Sequence, residues 1–121
     1  MSRAITVLCI DDEVLGLEIR RVVLEREGYT VLTANDGPTA LTMFRDSAVD
    51  AVVLDYAMPG MDGAKVAKAL REIHPHVPIL LLSAYLTLPG EVAGLVDMII
   101  NKGDGALPLI EKVKELVASE R

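Results

Sequence analysis

Five short apolar runs recur along the chain: residues 4–10 (AITVLCI), 29–34 (YTVLTA), 50–54 (DAVVL), 78–82 (PILLL) and 97–101 (DMIIN). Runs this short and this rich in aliphatic and β-branched residues suit strands covered on both faces. The segments between them have a different period. Residues 14–27 place Leu15, Ile19, Val22 and Val23 at helical spacing, and Gly28 ends the pattern. Asn35-Asp36-Gly37-Pro38 is a turn and helix entry, with Pro38 near the first helical position and Ala40, Leu41 and Phe44 facing inward beyond it. Residues 64–74 put Val66, Leu70 and Ile73 on one face. Residues 106–119 do the same with Leu109, Ile110, Val113, Leu116 and Val117. Only the stretch 86–96 is weak, because Pro89, Gly90 and Gly94 leave room for a short or frayed helix at most.

Strands alternating with helices imply parallel βαβ units with right-handed crossovers. The expected fold is α/β: a doubly wound, five-stranded parallel sheet of flavodoxin-like order 2-1-3-4-5, with helices on both faces. The 121 residues suit one domain spanning 1–121. With 51% hydrophobic and 25% charged residues disorder is disfavoured, and with 3% aromatics the core must be aliphatic. Twelve basic against eighteen acidic residues, a net charge of −6, argue against a nucleic-acid surface. No apolar run approaches the roughly 18–20 residues of a membrane span. One cysteine, Cys9, cannot form an intrachain disulfide and fits a reducing compartment. The expectation is a soluble cytoplasmic domain without membrane or direct nucleic-acid contact.

In such sheets ligands bind outside the carboxyl ends of the strands, at the switch in strand order. Strand one ends in Asp11, Asp12 and Glu13, strand three in Asp55, strand four in Ser83 and strand five in Lys102. Two like charges about 4 Å apart repel by about 4 kcal/mol at an effective dielectric of about 20. A hard divalent cation relieves that repulsion, and all-oxygen ligation suits Mg²⁺. Metal, lysine and hydroxyl can neutralise phosphoryl oxygens while a carboxylate acts as nucleophile. Each residue alone has an ordinary role: Asp11-Asp12 as helix cap, Asp55 and Ser83 as turn residues, Lys102 as a surface lysine. Their conjunction at strand ends is far more specific. The crevice is expected to leave Ser83 and Lys102 accessible to solvent. Cys9 reads as a core thiol. His74 and His76 lack a third metal ligand, and Met58 and Met61 read as loop packing.

Ile10-Asp11-Asp12-Glu13, the stretch Val52-Val53-Leu54-Asp55-Tyr56-Ala57-Met58-Pro59-Gly60-Met61-Asp62-Gly63, Ser83-Ala84 and Lys102 together resemble the receiver domain of bacterial response regulators. The resemblance covers essentially the whole chain. It implies that Asp55 is the phosphoacceptor and that Asp12, Asp55 and the Ala57 carbonyl bind Mg²⁺, with Asp11 acting mainly through water. It implies that Ser83 and the Ala84 N–H hold the phosphoryl group and that Lys102 pairs with it. The donor would be a histidine kinase or phosphotransfer protein, and the recipient of the signal an unidentified output protein or domain. Such a domain is not an enzyme in the ordinary sense, though it promotes its own phosphotransfer and dephosphorylation. One alternative is a pseudo-receiver that docks partners without phosphorylation. A small Mg²⁺-dependent phosphohydrolase is disfavoured, because Ala57 stands where its second aspartate belongs.

Three departures from the family pattern fall on the output side. Ile99 replaces an aromatic three residues before the lysine, Gly103 replaces the proline after it, and the stretch from Ser83 to Lys102 is short. Switching is therefore expected to act through residues 85–96, with Tyr85 as a gate or an exposed contact.

Overall fold

The computed structural model describes residues 4–84 and 87–119. Tyr85, the expected gate or exposed contact, lies outside the described residues. The elements run β1 (Thr6–Ile10), α1 (Val14–Arg26), β2 (Thr30–Ala34), α2 (Gly37–Asp46), β3 (Ala51–Asp55), α3 (Gly63–Ile73), β4 (Ile79–Ser83), α4 (Gly90–Ala93), β5 (Met98–Asn101) and α5 (Ala106–Ser119). All strand pairs are parallel and the order is β2-β1-β3-β4-β5. This is the doubly wound, flavodoxin-like α/β sheet that the sequence predicts. No helix among the described residues is long and apolar enough to cross a membrane.

The continuous apolar runs have their physical reason in two cores. Leu8, Ile10, Val52, Leu54, Ile79 and Leu81 face α2, α3 and α4, meeting Phe44, Val66, Leu70 and Val92. The alternate residues Val7, Cys9, Val53, Leu80 and Leu82 face α1 and α5, meeting Leu17, Leu24, Leu109, Val113 and Leu116. Every residue of β3 and β4 is buried, as strands covered on both faces require.

Two local outcomes differ from the sequence expectation. Asp50 and Asp97, read as the first residues of strands three and five, precede β3 and β5 and serve as side-chain acceptors instead. The Thr6 N–H donates to Asp50 Oδ2 and the Ile79 N–H to Asp97 Oδ2, each at 2.8 Å. In α1, the apolar residues that mark the segment as helical are not the ones that anchor it. Leu15 (76%), Ile19 (55%) and Val22 (39%) remain exposed, while Leu17 and Leu24 are buried.

The weak stretch before β5 forms a single helical turn, Gly90–Ala93. Ile99 pairs in register with Leu81 and so belongs to the α3/α4 face. One turn of helix does not cover it, and it stays 44% exposed.

Candidate functional site

Four strands deliver their last residues to one edge. Asp11 follows β1 and is fully buried; its N–H donates to the Ala34 carbonyl at 3.2 Å. Its Oδ1 accepts the Glu13 N–H at 2.9 Å, a tight side-chain turn that fixes the carboxylate as the chain enters α1. Asp55 is the last residue of β3 and only 2% exposed. The Tyr56 N–H donates to the Leu82 carbonyl at 2.9 Å, and the Gly63 N–H donates to the Tyr56 carbonyl at 2.7 Å. That second bond brings the start of α3 hard against the end of β3. A Cβ on Gly63 would lie 2.7 Å from Tyr56 Cα and 2.8 Å from the Asp55 carbonyl oxygen, so only glycine fits there.

On the other side, Ser83 ends β4 in register with Asn101, and Lys102 begins a 3₁₀ turn, Lys102–Asp104, directly after β5. Asn101 Oδ1 accepts the Gly103 N–H at 2.7 Å and so starts this turn. Here the departure from the family's proline has a local reason: proline has no N–H to give.

The carboxylates of Asp11, Asp12 and Asp55 present oxygens all within 4.8 Å of one another. Lys102 Nζ lies 3.1 Å from Asp11 Oδ2, 3.1 Å from Asp55 Oδ1 and 3.0 Å from Glu13 Oε1. The Arg20 guanidinium forms a further ion pair with Asp11 Oδ2. Asp55 Oδ2 is buried and has no hydrogen-bond partner among the described residues.

These contacts set the charge states. Burial pushes the Asp55 carboxyl up, and the Asp11 carboxylate adds to this; Lys102 only partly offsets them, leaving the group at about 6. Burial acts on Asp11 in the same sense. There the Glu13 N–H, Lys102 and Arg20 outweigh it and hold the carboxyl below the usual aspartate range. Burial alone would lower Lys102, but its bonds to Glu13, Asp11 and Asp55 hold the ammonium above its ordinary value. Cys9 is a buried core thiol, pushed up to about 12 chiefly by burial.

The residues named from the sequence thus divide. Asp11, Asp55 and Lys102 are in direct contact, and Asp12 is exposed within carboxylate reach of them. Ser83 is at the expected strand end but only 2% exposed, so it is not solvent-accessible as expected. Ala57 and Ala84 are exposed and lie in the connections that follow β3 and β4. Sequence reasoning missed Arg20. A signal was present, since Leu17, Arg20 and Leu24 share one helical stripe and an arginine interrupts its apolar residues. The donor set fits a hard cation: oxygens only, and a buried orphan acceptor on Asp55.

Residues 7–106 match the family model described as the response regulator receiver domain. The probable transcriptional regulatory protein TcrX of Mycobacterium tuberculosis is 40% identical over 94 residues, 78% of this chain and 40% of that protein. Response regulator MprA of Mycobacterium leprae is 42% identical over 116 residues, 95% of this chain and 49% of that protein. The chain therefore spans about half the length, or less, of these relatives. Among solved structures, response regulator TrrA of Thermotoga maritima, in complex with Mg²⁺–BeF, superposes with a TM-score of 0.87 at 34% identity, covering 93% of this chain and 98% of that one. A response regulator receiver protein from Sinorhizobium medicae gives a TM-score of 0.88 at 31% identity, covering 98% of each chain.

Proposed function

The chain belongs to the response regulator receiver domain family, and from that premise we propose that it accepts a phosphoryl group on Asp55 from a histidine kinase or phosphotransfer protein and relays the change to an output protein or domain. Residues 1–121 act as one receiver domain in the cytoplasm, without nucleic-acid contact of their own.

One observation carries the proposal: Asp55 combines a buried oxygen that no group among the described residues satisfies with a lysine 3.1 Å from its other oxygen. In the transfer, an Asp55 carboxylate oxygen forms a bond to phosphorus as the P–N bond of a phosphohistidine breaks, and the donor imidazole keeps the electron pair. Asp12, Asp55 and the Ala57 carbonyl would hold Mg²⁺, with Asp11 acting through water. When bound, Mg²⁺ supplies positive charge to the phosphoryl oxygens. The complex of the Thermotoga maritima relative with Mg²⁺–BeF supports that choice of metal. Lys102 is already held at the acceptor and can turn its ammonium to the new phosphoryl group, while the Ser83 hydroxyl and the Ala84 N–H donate to it. Ile19 on α1 and Lys102 line the same cleft, and Ile19 and Leu15 are exposed, which gives an approaching donor domain an apolar surface beside the acceptor.

The test is intact mass after incubation with acetyl phosphate and Mg²⁺. The wild-type chain should gain one phosphoryl group, only with the metal, and Asp55→Asn should gain none. Equal labelling of the variant moves the acceptor elsewhere. No labelling of either protein favours a docking module that works without phosphorylation.

A further inference from the structure

Arg20 is unusual within its helix. It shares the inward stripe of α1 with the buried Leu17 and Leu24, and its side chain is 13% exposed. Arg21, next to it, spends its charge on the exposed carboxylates of Glu18 and Glu25. Arg20 instead reaches the fully buried Asp11. It passes beside Gly16, one turn earlier, where a Cβ would lie 3.4 and 3.7 Å from the two terminal guanidinium nitrogens, in ordinary van der Waals contact. A cavity of about 200 Å³ lies between α1, β5 and α5, lined by Gly16, Ile19, Arg20, Lys102, Gly105 and Leu109 among others.

The charge count of the crevice follows. Asp11, Asp12, Asp55 and Glu13, which shares Lys102, bring four negative charges, and Lys102 and Arg20 bring two positive ones. The expected self-repulsion of the crevice is thus partly offset from within. Asp11 Oδ1 already accepts the Glu13 N–H and both Arg20 and Lys102 sit on Oδ2, so a cation or its water shell must share this carboxylate with them. Lys102 has two other carboxylates to fall back on, Glu13 and Asp55. Arg20 makes no other ion pair among the described residues.

We propose that Arg20 is a built-in counter-ion of the acidic crevice: it holds Asp11 in the metal-free protein, competes with Mg²⁺ for that carboxylate, and so sets the Mg²⁺ concentration at which the site becomes ready for phosphoryl transfer. The inference rests on the metal-site reading above. It makes Arg20 a positioning residue that acts through Asp11 and never touches the phosphoryl group. A guanidinium cannot shed its proton, so the competition persists at every physiological pH. A divalent ion entering beside it meets like charge, and a second cation a few ångströms away weakens its binding by about tenfold even when screened as in bulk water.

The experiment is calorimetric titration of the full chain with Mg²⁺ alone, together with thermal melts with and without the metal. Arg20→Met keeps the length of the side chain and removes the charge. It should bind Mg²⁺ about tenfold more tightly than wild type. It should also melt lower than wild type without metal, and saturating Mg²⁺ should close that gap, because the tighter binder gains more from the ligand. If Arg20→Met does not fold, Arg20→Gln is compared with Arg20→Lys; the neutral variant should bind more tightly and the charged one close to wild type. Unchanged affinity in the neutral variants overturns the proposal. Weaker affinity also overturns it, and shows that Arg20 orients Asp11 for the metal. If neither wild type nor variant binds Mg²⁺, the metal-site reading falls and this inference falls with it.

Discussion

The two edges of the sheet use the same residue type in opposite ways. At the amino edge, Asp50 and Asp97 each exchange two hydrogen bonds with the first residue of a neighbouring strand. The Asp50 N–H donates to the Thr6 carbonyl at 2.8 Å while Asp50 Oδ2 accepts the Thr6 N–H at 2.8 Å. Asp97 does the same with Ile79, at 2.9 and 2.8 Å. Arg71 completes this edge. It pairs with Asp97 at 2.8 Å and donates to the carbonyls of Leu95 and Pro75, each at 3.1 Å, and of Val77. At the carboxyl edge, Asp11 and Asp55 are pressed together, one oxygen has no partner among the described residues, and two cations hold the balance. One edge spends its carboxylates on closing backbone valences, which stabilises the fold. The other keeps them in excess, which costs stability and leaves a place for a ligand.

The largest expected effect follows from the satisfied edge. Arg71→Ala strips donors from three carbonyls and leaves Asp97 without its cation. It should cost about 2–4 kcal/mol in urea denaturation, in the range for breaking a part-buried polar network. Mg²⁺ affinity should not change, since Arg71 ties the end of α3 to the loops before β4 and β5, at the amino edge. A loss under about 0.5 kcal/mol, the ordinary scale of a surface substitution, would reduce this edge to decoration.

The unsatisfied edge predicts the opposite sign. The Asp55 carboxyl stands at about 6, against about 4 for a solvated aspartate. A raised carboxyl makes the folded state the tighter proton binder, so stability from this group is present on the acid side and is lost as pH rises through about 4 to 6. Above that window the ionised, buried carboxylate is a constant cost. Asp55→Asn should therefore stabilise the metal-free protein by about 1–2 kcal/mol at neutral pH, with the gain fading as pH falls toward about 4. Destabilisation at neutral pH would mean that the ion pair with Lys102 outweighs burial, and the contrast between the edges would fail.

Much of this contrast is legible in the sequence, and the gaps have physical causes. The five strands stand out because a strand covered on both faces has no polar alternation, and the strand-order rule then collects Asp11, Asp55, Ser83 and Lys102 at one edge. The single turn Gly90–Ala93 is foreshadowed by its proline and glycines. The face of α1 is not legible, because both Leu15–Ile19–Val22 and Leu17–Leu24 have helical spacing and only packing against β1 and α5 chooses between them. Arg20 was lost with that choice. Asp50 and Asp97 look like strand residues because each lies one residue before the ladder begins, and periodicity cannot tell a first strand residue from the acceptor that precedes it.

The smallest expected effect lies where the carboxyl edge borrows the device of the amino edge. Asn101 Oδ1 accepts the Gly103 N–H at 2.7 Å, a side-chain oxygen closing a backbone valence as Asp50 and Asp97 do. The bond sets the turn that carries Lys102 into the crevice. Gly103→Pro removes the donor and also disfavours a helical backbone at the preceding residue, which is Lys102. Asn101→Ala should cost about 1 kcal/mol, the value of the bond, and Gly103→Pro somewhat more, because it deletes the same bond and also strains the backbone at Lys102. Because the two substitutions act through one contact, the double variant should lose no more than the larger single loss. Additive losses in the denaturation cycle would show that Gly103 and Asn101 stabilise the turn independently. The aim of Lys102 would then rest on its ion pairs with Asp11, Glu13 and Asp55 and not on the backbone.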